Sequence, residues 1–184
     1  MLNILGRGPD HDFNQPLGLL SDCHRRIETF LGVLLRVARE KAGRTLDPDS
    51  TDALRKAKKY FVYAAPKHTA DEEESLFPRM REVLPADASS RADIERLHGD
   101  HDDADALHAR VDELLGVWLG DGVLPGEQAA ELIKLLENLD VLYREHIRVE
   151  ESVVFPLAGK VLSDTDLLQV GAEMRARRGL KAPG

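Results

Sequence analysis

The chain has 184 residues, a length that fits one domain with a sizeable core, residues 1–184. Its 33 acidic residues outnumber its 25 lysines and arginines, giving a formal charge of -8, and no stretch concentrates positive charge, which argues against a nucleic-acid partner. No apolar run approaches the roughly 20 residues that span a membrane and no signal sequence opens the chain, so we expect a cytoplasmic protein without a membrane partner.

Two helices are predicted in the first half of the chain. The first covers about residues 16–42, has an apolar face at helical spacing, and ends at Gly43. The second begins near Ser50 and continues to about Arg81. Because Pro66 lies inside this pattern, we expect the second helix to kink or restart just before the histidine that follows it.

Three more helices are predicted in the second half. The third opens near Ser90, with Asp93 as a capping partner, and the fourth covers about residues 127–158. A short fifth helix covers about residues 163–179, with its basic run expected to be a solvated helix end. The lengths and short connections predict an all-α, antiparallel up-and-down four-helix bundle, about residues 16–158, plus the C-terminal fifth helix.

An internal repeat connects the two halves. The segment HTADEEESLFP, residues 68–78, returns as HIRVEESVVFP, residues 146–156, with histidine, two glutamates, phenylalanine and proline at the same offsets. The shift between the copies is 78 residues, and His24 matches His101 at a shift of 77. The first two helices therefore correspond to the third and fourth, which predicts a bundle made of two repeated helical hairpins.

The repeat brings six side chains of metal-ligand type to about one level of the bundle. Histidine and glutamate four residues apart share a helical face, as in the two pairs His68 with Glu72 and His146 with Glu150. A histidine from each neighbouring helix arrives at the same depth. The candidate metal ligands are His24, His68, Glu72, His101, His146 and Glu150.

These groups need a compensating positive charge if they are buried together. An unpaired carboxylate in a low-dielectric core is strongly destabilising or becomes protonated. A pair of divalent cations offers the compensation, with bridging carboxylates and terminal imidazoles. Because Cys23 is the single cysteine, a disulfide and a thiolate cluster are excluded, and nitrogen and oxygen donors suit iron or manganese, with zinc as a further alternative.

Other polar residues are assigned lesser roles. Three glutamates are expected on a solvated face or as hydrogen-bond acceptors for the ligands: Glu73, Glu74 and Glu151. Two histidines are expected at the surface: His11 and His98. His108 shares the inner stripe of the third helix, so contact with the metal or its access path stays open. Core packing is expected for Tyr60, Tyr63 and Tyr143, with a hydrogen bond near the site as the alternative, and Cys23 is expected to be a small buried residue.

The order His, HxxxE, His, HxxxE resembles the hemerythrin-like family, also called the HHE cation-binding domain family. The resemblance covers about residues 17–158 and includes the glutamates, phenylalanine and proline that end each second helix. It implies two iron ions, oxo- or hydroxo-bridged, with bridging carboxylates from Glu72 and Glu150. It also implies a small-molecule partner, such as dioxygen, peroxide or nitric oxide, or a response to iron.

The chain departs from the oxygen-carrying members of that family, which add a fifth histidine through an HxxxH pair. Asp105 stands where that second histidine would follow His101. We therefore favour a binding or sensing module over simple oxygen storage. A di-iron peroxidase, oxidase or nitric-oxide-handling enzyme and an iron-buffering protein are the alternatives. A ferritin-like bundle needs two ExxH pairs, and only Glu95 with His98 is present.

Overall fold

Helices make up nearly all of the computed structural model, which describes residues 10–181 and contains no strand in that range. The first helix of the bundle is α1, Pro16–Lys41. The second is built from four consecutive pieces: α2, Pro48–Tyr63; α3, Ala65–Ala70; a first π-helical segment, Asp71–Leu76; and α4, Phe77–Val83.

The second half repeats this arrangement. The third helix is α5, Ser89–Asp121. The fourth consists of α6, Gly126–Val149; a second π-helical segment, Glu150–Val154; and α7, Phe155–Val161. The fifth is α8, Asp164–Arg177. The predicted all-α bundle with a short C-terminal helix is confirmed, and no helix of the described residues has the length and hydrophobicity needed to cross a bilayer.

The four long helices enclose two apolar clusters. α1 packs against α2 and α6, and α5 packs against the same two neighbours. The larger cluster is centred on Trp118, Leu34 and Leu54, and the smaller on Phe77 and Leu97. Each of the four long helices passes through one apolar cluster, then carries a histidine of the predicted site, and then passes through the other cluster. The site therefore lies in a polar layer between two apolar ones.

Local signals set most of the helix ends. Asp47 caps α2 by accepting the Ser50 N–H, and Ser163 forms a reciprocal capping box with Asp166 at the start of α8. The predicted capping role of Asp93 in α5 is wrong, because Ala88 occupies the N-cap and no side chain accepts there. The residues that start α5 consequently depend on packing more than on a polar cap.

The predicted break before His68 is confirmed. α2 ends at Tyr63 and α3 begins at Ala65, with Pro66 as one of the first residues of the new helix. Proline has no backbone N–H to donate to the carbonyl four residues earlier, which is that of Val62, so the α-helical ladder cannot continue through it.

Each π-helical segment begins at or next to a candidate glutamate ligand. The Phe77 N–H donates to the carbonyl of Glu72, and the Phe155 N–H donates to that of Glu150, so both hydrogen bonds span five residues. A proline follows each phenylalanine and cannot donate to the carbonyl four residues earlier. A proline six residues after each glutamate is therefore a sequence signal for the π-helical segment. These segments were not predicted from the sequence.

The basic end of α8 is not a solvated helix end, so that prediction is wrong. Arg177 contacts one oxygen of Asp71, and the Nη2 of Arg178 lies 2.6 Å from the other. Asp71 is 0% exposed and belongs to the first π-helical segment, which α8 covers. The buried carboxylate requires a cation nearby, and the two arginines supply it. We call these three residues the Asp71 clamp.

Replacing both arginines of the Asp71 clamp with glutamine (R177Q/R178Q) should lower the free energy of unfolding by about 3 kcal/mol, because a buried carboxylate loses its countercharges. Urea unfolding measured by circular dichroism tests this. The control is K134Q/K160Q, which removes two exposed lysines and should change stability by less than about 0.5 kcal/mol. Equal losses in the two double variants would contradict the role of the clamp.

Candidate metal centre

Six side chains from four helices meet in the polar layer. None of them is more than 7% exposed. They are the residues expected from the repeat: His24, His68, Glu72, His101, His146 and Glu150. The structure thus brings the whole predicted set together, and their role as metal ligands stays a prediction.

The six residues form two overlapping groups of four. Within each group, one ligand atom per residue lies within 4.8 Å of the others. The first group is His24, His68, Glu72 and Glu150. The second is Glu72, His101, His146 and Glu150. Because the two glutamates belong to both groups, each carboxylate is placed to bridge two cations, with two imidazoles at the outer side of each.

Glu72 directs its two oxygens to the two sides of the centre. Its Oε1 lies 3.3 Å from His68 Nε2 and 3.7 Å from His24 Nε2. Its Oε2 lies 3.4 Å from His101 Nε2. One carboxylate therefore faces imidazoles of both groups, as a bridging ligand must.

Glu150 closes the other side of the centre. Its Oε2 lies 3.0 Å from His24 Nε2 and 3.2 Å from His146 Nε2. Two donor atoms at right angles, each about 2.1 Å from one ion, would lie about 3 Å apart. The nitrogen-to-oxygen separations of 3.0–3.7 Å across the centre are thus close to those of neighbouring ligands on a shared ion.

Within residues 10–181, imidazoles are the only possible countercharges that lie within 4.0 Å of the two carboxylates. All four oxygens of Glu72 and Glu150 are buried and make no hydrogen bond of acceptable geometry, although imidazole nitrogens lie close by. Buried polar atoms without partners are rare in proteins because each one is destabilising. Four orphaned carboxylate oxygens, surrounded by imidazoles that present nitrogen atoms, fit a pair of divalent cations.

The electrostatic environment differs among the ligands. Burial alone would raise the pKa of Glu72, but the nearby His68 and the contacts with His101 and His24 outweigh it and hold that pKa well below its usual range. Glu72 is therefore a carboxylate, the form that binds cations, at all pH values near neutrality.

The histidines are not equivalent either. Burial opposes the charged form of His101, yet its contacts with Glu72 and Glu73 raise its pKa to about 10. For His24, contacts with glutamates likewise outweigh burial and raise the pKa well above the usual value. Burial lowers the pKa of His68 to about 4. Cations must displace protons from the first two imidazoles, so metal binding should release protons and weaken as the pH falls.

Two outer glutamates orient two of the histidines. The Nδ1 of His24 lies 2.7 Å from Glu151 Oε1, and that of His101 lies 2.8 Å from Glu73 Oε1. In each case the histidine of one hairpin is held by the glutamate of the other. When a cation displaces the second proton, a donor bond at Nδ1 keeps the remaining proton there and leaves Nε2 turned inward as the ligand atom. Of the two roles left open for these glutamates, the structure shows the acceptor role.

The repeat breaks down at the remaining two histidines. His146 Nδ1 lies 3.3 Å from Asp100 Oδ2, whereas His68 Nδ1 is buried without a partner. Asp100 directly precedes His101, and the neutral Cys23 stands in the matching place before His24. Because a carboxylate on the outer nitrogen makes an imidazole a stronger ligand, His68 lacks support that His146 has. This role of Asp100 was not predicted from the sequence.

Two other groups have a role that sequence reasoning left open. His108 is not among the six: its Nε2 lies 2.9 Å from the Tyr143 hydroxyl, its ring stacks on Phe61, and burial lowers its pKa to about 4. Tyr143 lines a cavity of about 10 Å³ together with the four histidines of the centre and Thr69. Tyr143 therefore connects the centre to His108, instead of serving only as core packing.

Two single substitutions test the assignment of the ligands. H68A and E150A should each lose most of their bound metal while remaining largely helical. His68 is one of the four donors of the first group, and Glu150 is a donor of both groups. Elemental analysis and far-ultraviolet circular dichroism measure the two properties. The matched control is H108A, which removes a buried histidine outside the six and should keep its metal. Full metal retention by H68A or E150A would refute the assignment.

The outer glutamates should tune the affinity and not the number of metal ions. E73Q and E151Q each replace a negative acceptor with a neutral one of the same shape, so we expect metal affinity to fall by about tenfold or more. Titration against a competing chelator measures the change. The control is E74Q, because Glu74 is exposed and contacts Arg177 instead of a candidate ligand. Unchanged affinity in both E73Q and E151Q would contradict the orienting role.

Comparison with known proteins agrees with the fold and the donor set. A family model described as Hemerythrin HHE cation binding domain matches residues 15–158. An uncharacterized protein of Haemophilus influenzae is 31% identical to this chain over 173 residues, which cover 92% of this chain and 93% of that protein. The bundle, the buried His/Glu groups and the extent of the family match lead to one conclusion: the chain belongs to the hemerythrin HHE cation-binding domain family.

Proposed function

We propose that this chain is a non-haem di-iron protein that binds or senses a small ligand, namely dioxygen, peroxide or nitric oxide, and that it is not an enzyme. The observation that carries the proposal is the pair of overlapping four-residue groups that share Glu72 and Glu150. This arrangement offers two ions a set of nitrogen and oxygen donors with no thiolate, which suits iron.

The number of protein donors in each group is evidence for a metal ion that can bind an exogenous ligand in addition. Each group offers an ion two imidazoles and two carboxylates. A four-coordinate zinc ion would be saturated by such a group. An ion that prefers about six ligands would keep positions for solvent and for an exogenous ligand. The donor count therefore favours iron or manganese over zinc, and elemental analysis separates the two.

The size of the space beside the centre supports a small ligand. The cavity among the four histidines has a volume of about 10 Å³. This volume is close to the minimum that holds one water molecule, so an organic substrate would require the surrounding side chains to move much further than a diatomic ligand would. Apolar side chains, Ile27, Ala65 and Ile147, line part of it, and the hydroxyl-bearing residues Tyr143 and Thr69 line another. The size favours binding or sensing over oxidation of an organic molecule.

Tyr143 is the residue of this chain suited to hold the small ligand. Burial raises the pKa of its hydroxyl, so the group stays neutral and keeps its proton. His108 Nε2 lies 2.9 Å from the hydroxyl oxygen, and in the tautomer in which this nitrogen donates to that oxygen the phenol proton stays available to a ligand. When bound, the iron pair would supply the open coordination and the electrons, while Tyr143 would offer a hydrogen bond to the ligand.

The cytoplasm is the compartment that we propose. Cys23 is a free, buried thiol, and burial raises its pKa, which keeps it protonated. A chain with one free thiol and no disulfide is compatible with a reducing compartment. Locating a tagged copy of the chain in cells tests this part of the proposal.

The decisive experiment is elemental analysis of anaerobically purified protein, followed by visible spectra before and after addition of nitric oxide and, separately, air. We expect two iron ions per chain and a stable adduct with at least one of the two ligands. Y143F should bind the same iron but release the ligand about tenfold faster, because one hydrogen bond is lost. Zinc in the centre, or iron whose spectrum responds to neither ligand, would contradict the proposal.

The same preparation separates the other two functions. Sustained consumption of peroxide with an added reductant would indicate a di-iron enzyme. Easy loss of iron to a chelator, without loss of helical structure, would indicate iron buffering. H108A serves as a control here, because it retains the six donors while it removes the contact to Tyr143 and the stacking on Phe61.

A further inference from the structure

A second cavity, far larger than the one at the metal centre, lies beside α1 and the second helix of the bundle. Its volume is about 770 Å³, within the range of about 300–1,000 Å³ that is usual for sites of organic ligands. None of the six candidate metal ligands lines it. Cys23 and Lys67, which directly precede His24 and His68, do line it. The cavity and the metal centre therefore lie on two sides of the same pair of helices.

The walls of this cavity are largely apolar and aromatic. Phe30 and Tyr60 stack with ring centroids 4.5 Å apart, and Phe13 and Leu19 contribute further apolar surface. Tyr63 lines the cavity and is 66% exposed, so the core packing predicted for this side chain is wrong. Such surfaces favour the flat apolar body of an organic molecule.

The charged residues around the cavity are almost all positive, in a chain whose formal charge is -8. One carboxylate, Asp12, lines it. The permanently charged cations that line it are Arg26, Lys56, Lys59, Lys67 and Arg178. Five cations at one cavity repel one another, so each of them needs a negative partner, either within the chain or from outside it.

Three of these cations have no carboxylate partner in the described part of the chain. Lys56 pairs with Asp52 at 2.7 Å, and Arg178 belongs to the Asp71 clamp. Within residues 10–181, by contrast, no carboxylate lies within 4.0 Å of the charged nitrogens of the other three: Arg26, Lys59 and Lys67. These three side chains come from α1, α2 and α3, so they approach the cavity from different helices. Their charge is available to an anion from outside.

We propose that this cavity binds an amphipathic organic anion, with its apolar body against the aromatic walls and its anionic group between Arg26, Lys59 and Lys67. The chain's own residues 1–9, MLNILGRGP, are another possible occupant, because they precede the cavity wall in sequence. They contain the positive Arg7 and no acidic residue, so the cations of the cavity favour an external anion over this segment. The site holds no metal ligand, so the proposal stands independently of the di-iron function.

A pair of fluorescent probes with one apolar body tests the proposal. 1-Anilinonaphthalene-8-sulfonate carries an anionic group, and N-phenyl-1-naphthylamine is the same ring system without it. Titration of the full chain should show saturable binding of the sulfonate at one site, at least about tenfold tighter than that of the neutral amine, because only the anion gains from the cations. A neutral probe that binds as tightly as the sulfonate, or no saturable sulfonate binding, would overturn the proposal.

Two matched double variants locate the bound sulfonate. R26E/K59E reverses one cation on α1 and one on α2 at the cavity, and should weaken sulfonate binding by about tenfold or more. R36E/R55E makes the same change of charge on the same two helices away from the cavity, and should leave binding within about twofold. Equal weakening in both variants would overturn the assignment, because it would reflect net charge alone.

Two further variants complete the test. Y63D removes apolar wall at an exposed position and should weaken both probes, while thermal melting confirms that each variant is folded. Deletion of residues 2–9 should leave sulfonate affinity unchanged. If the deletion creates a probe site that the full chain lacks, the cavity belongs to the N-terminal segment and the proposal is overturned.

Discussion

The structure depends on the burial of two carboxylates in the middle of a helical bundle. Glu72 and Glu150 are both 0% exposed and lie between two apolar clusters, with none of their oxygens hydrogen-bonded. Water cannot compensate these charges, and the imidazoles nearby present nitrogen atoms that also seek a cation. A bound pair of metal ions would compensate the carboxylates and occupy every donor, so stability and function would rest on the same interaction.

Much of the fold and the composition of the polar layer could be predicted, because the candidate ligands occur at a regular spacing that is visible in the sequence. The four-residue interval between His68 and Glu72, repeated 78 residues later, predicted which side chains would meet. Helical periodicity and the break at Pro66 predicted the bundle. Two statements stay predictions: that the six residues bind metal, and that the whole chain is one domain.

The features that sequence reasoning missed are contacts between distant residues. Arg178 and Asp71 are 107 residues apart, and neither has a local pattern that identifies the other as its partner, so the basic end of α8 was taken for a solvated terminus. Tyr143 resembles any core aromatic residue until its neighbours are known. The π-helical turns are a different case. The proline that follows each of them was recognised as part of the repeat, but its effect on the backbone hydrogen bonds was not predicted.

The sharing of Glu72 and Glu150 has a consequence for the origin of the chain. Each four-residue group takes three donors from one hairpin and one from the other, so an isolated hairpin cannot complete either group. Two identical hairpins related by a twofold axis would complete both at once. A half-length ancestor that dimerised around metal could therefore have possessed the whole centre, and gene duplication followed by fusion would have freed the copies to diverge, as Cys23 and Asp100 have done.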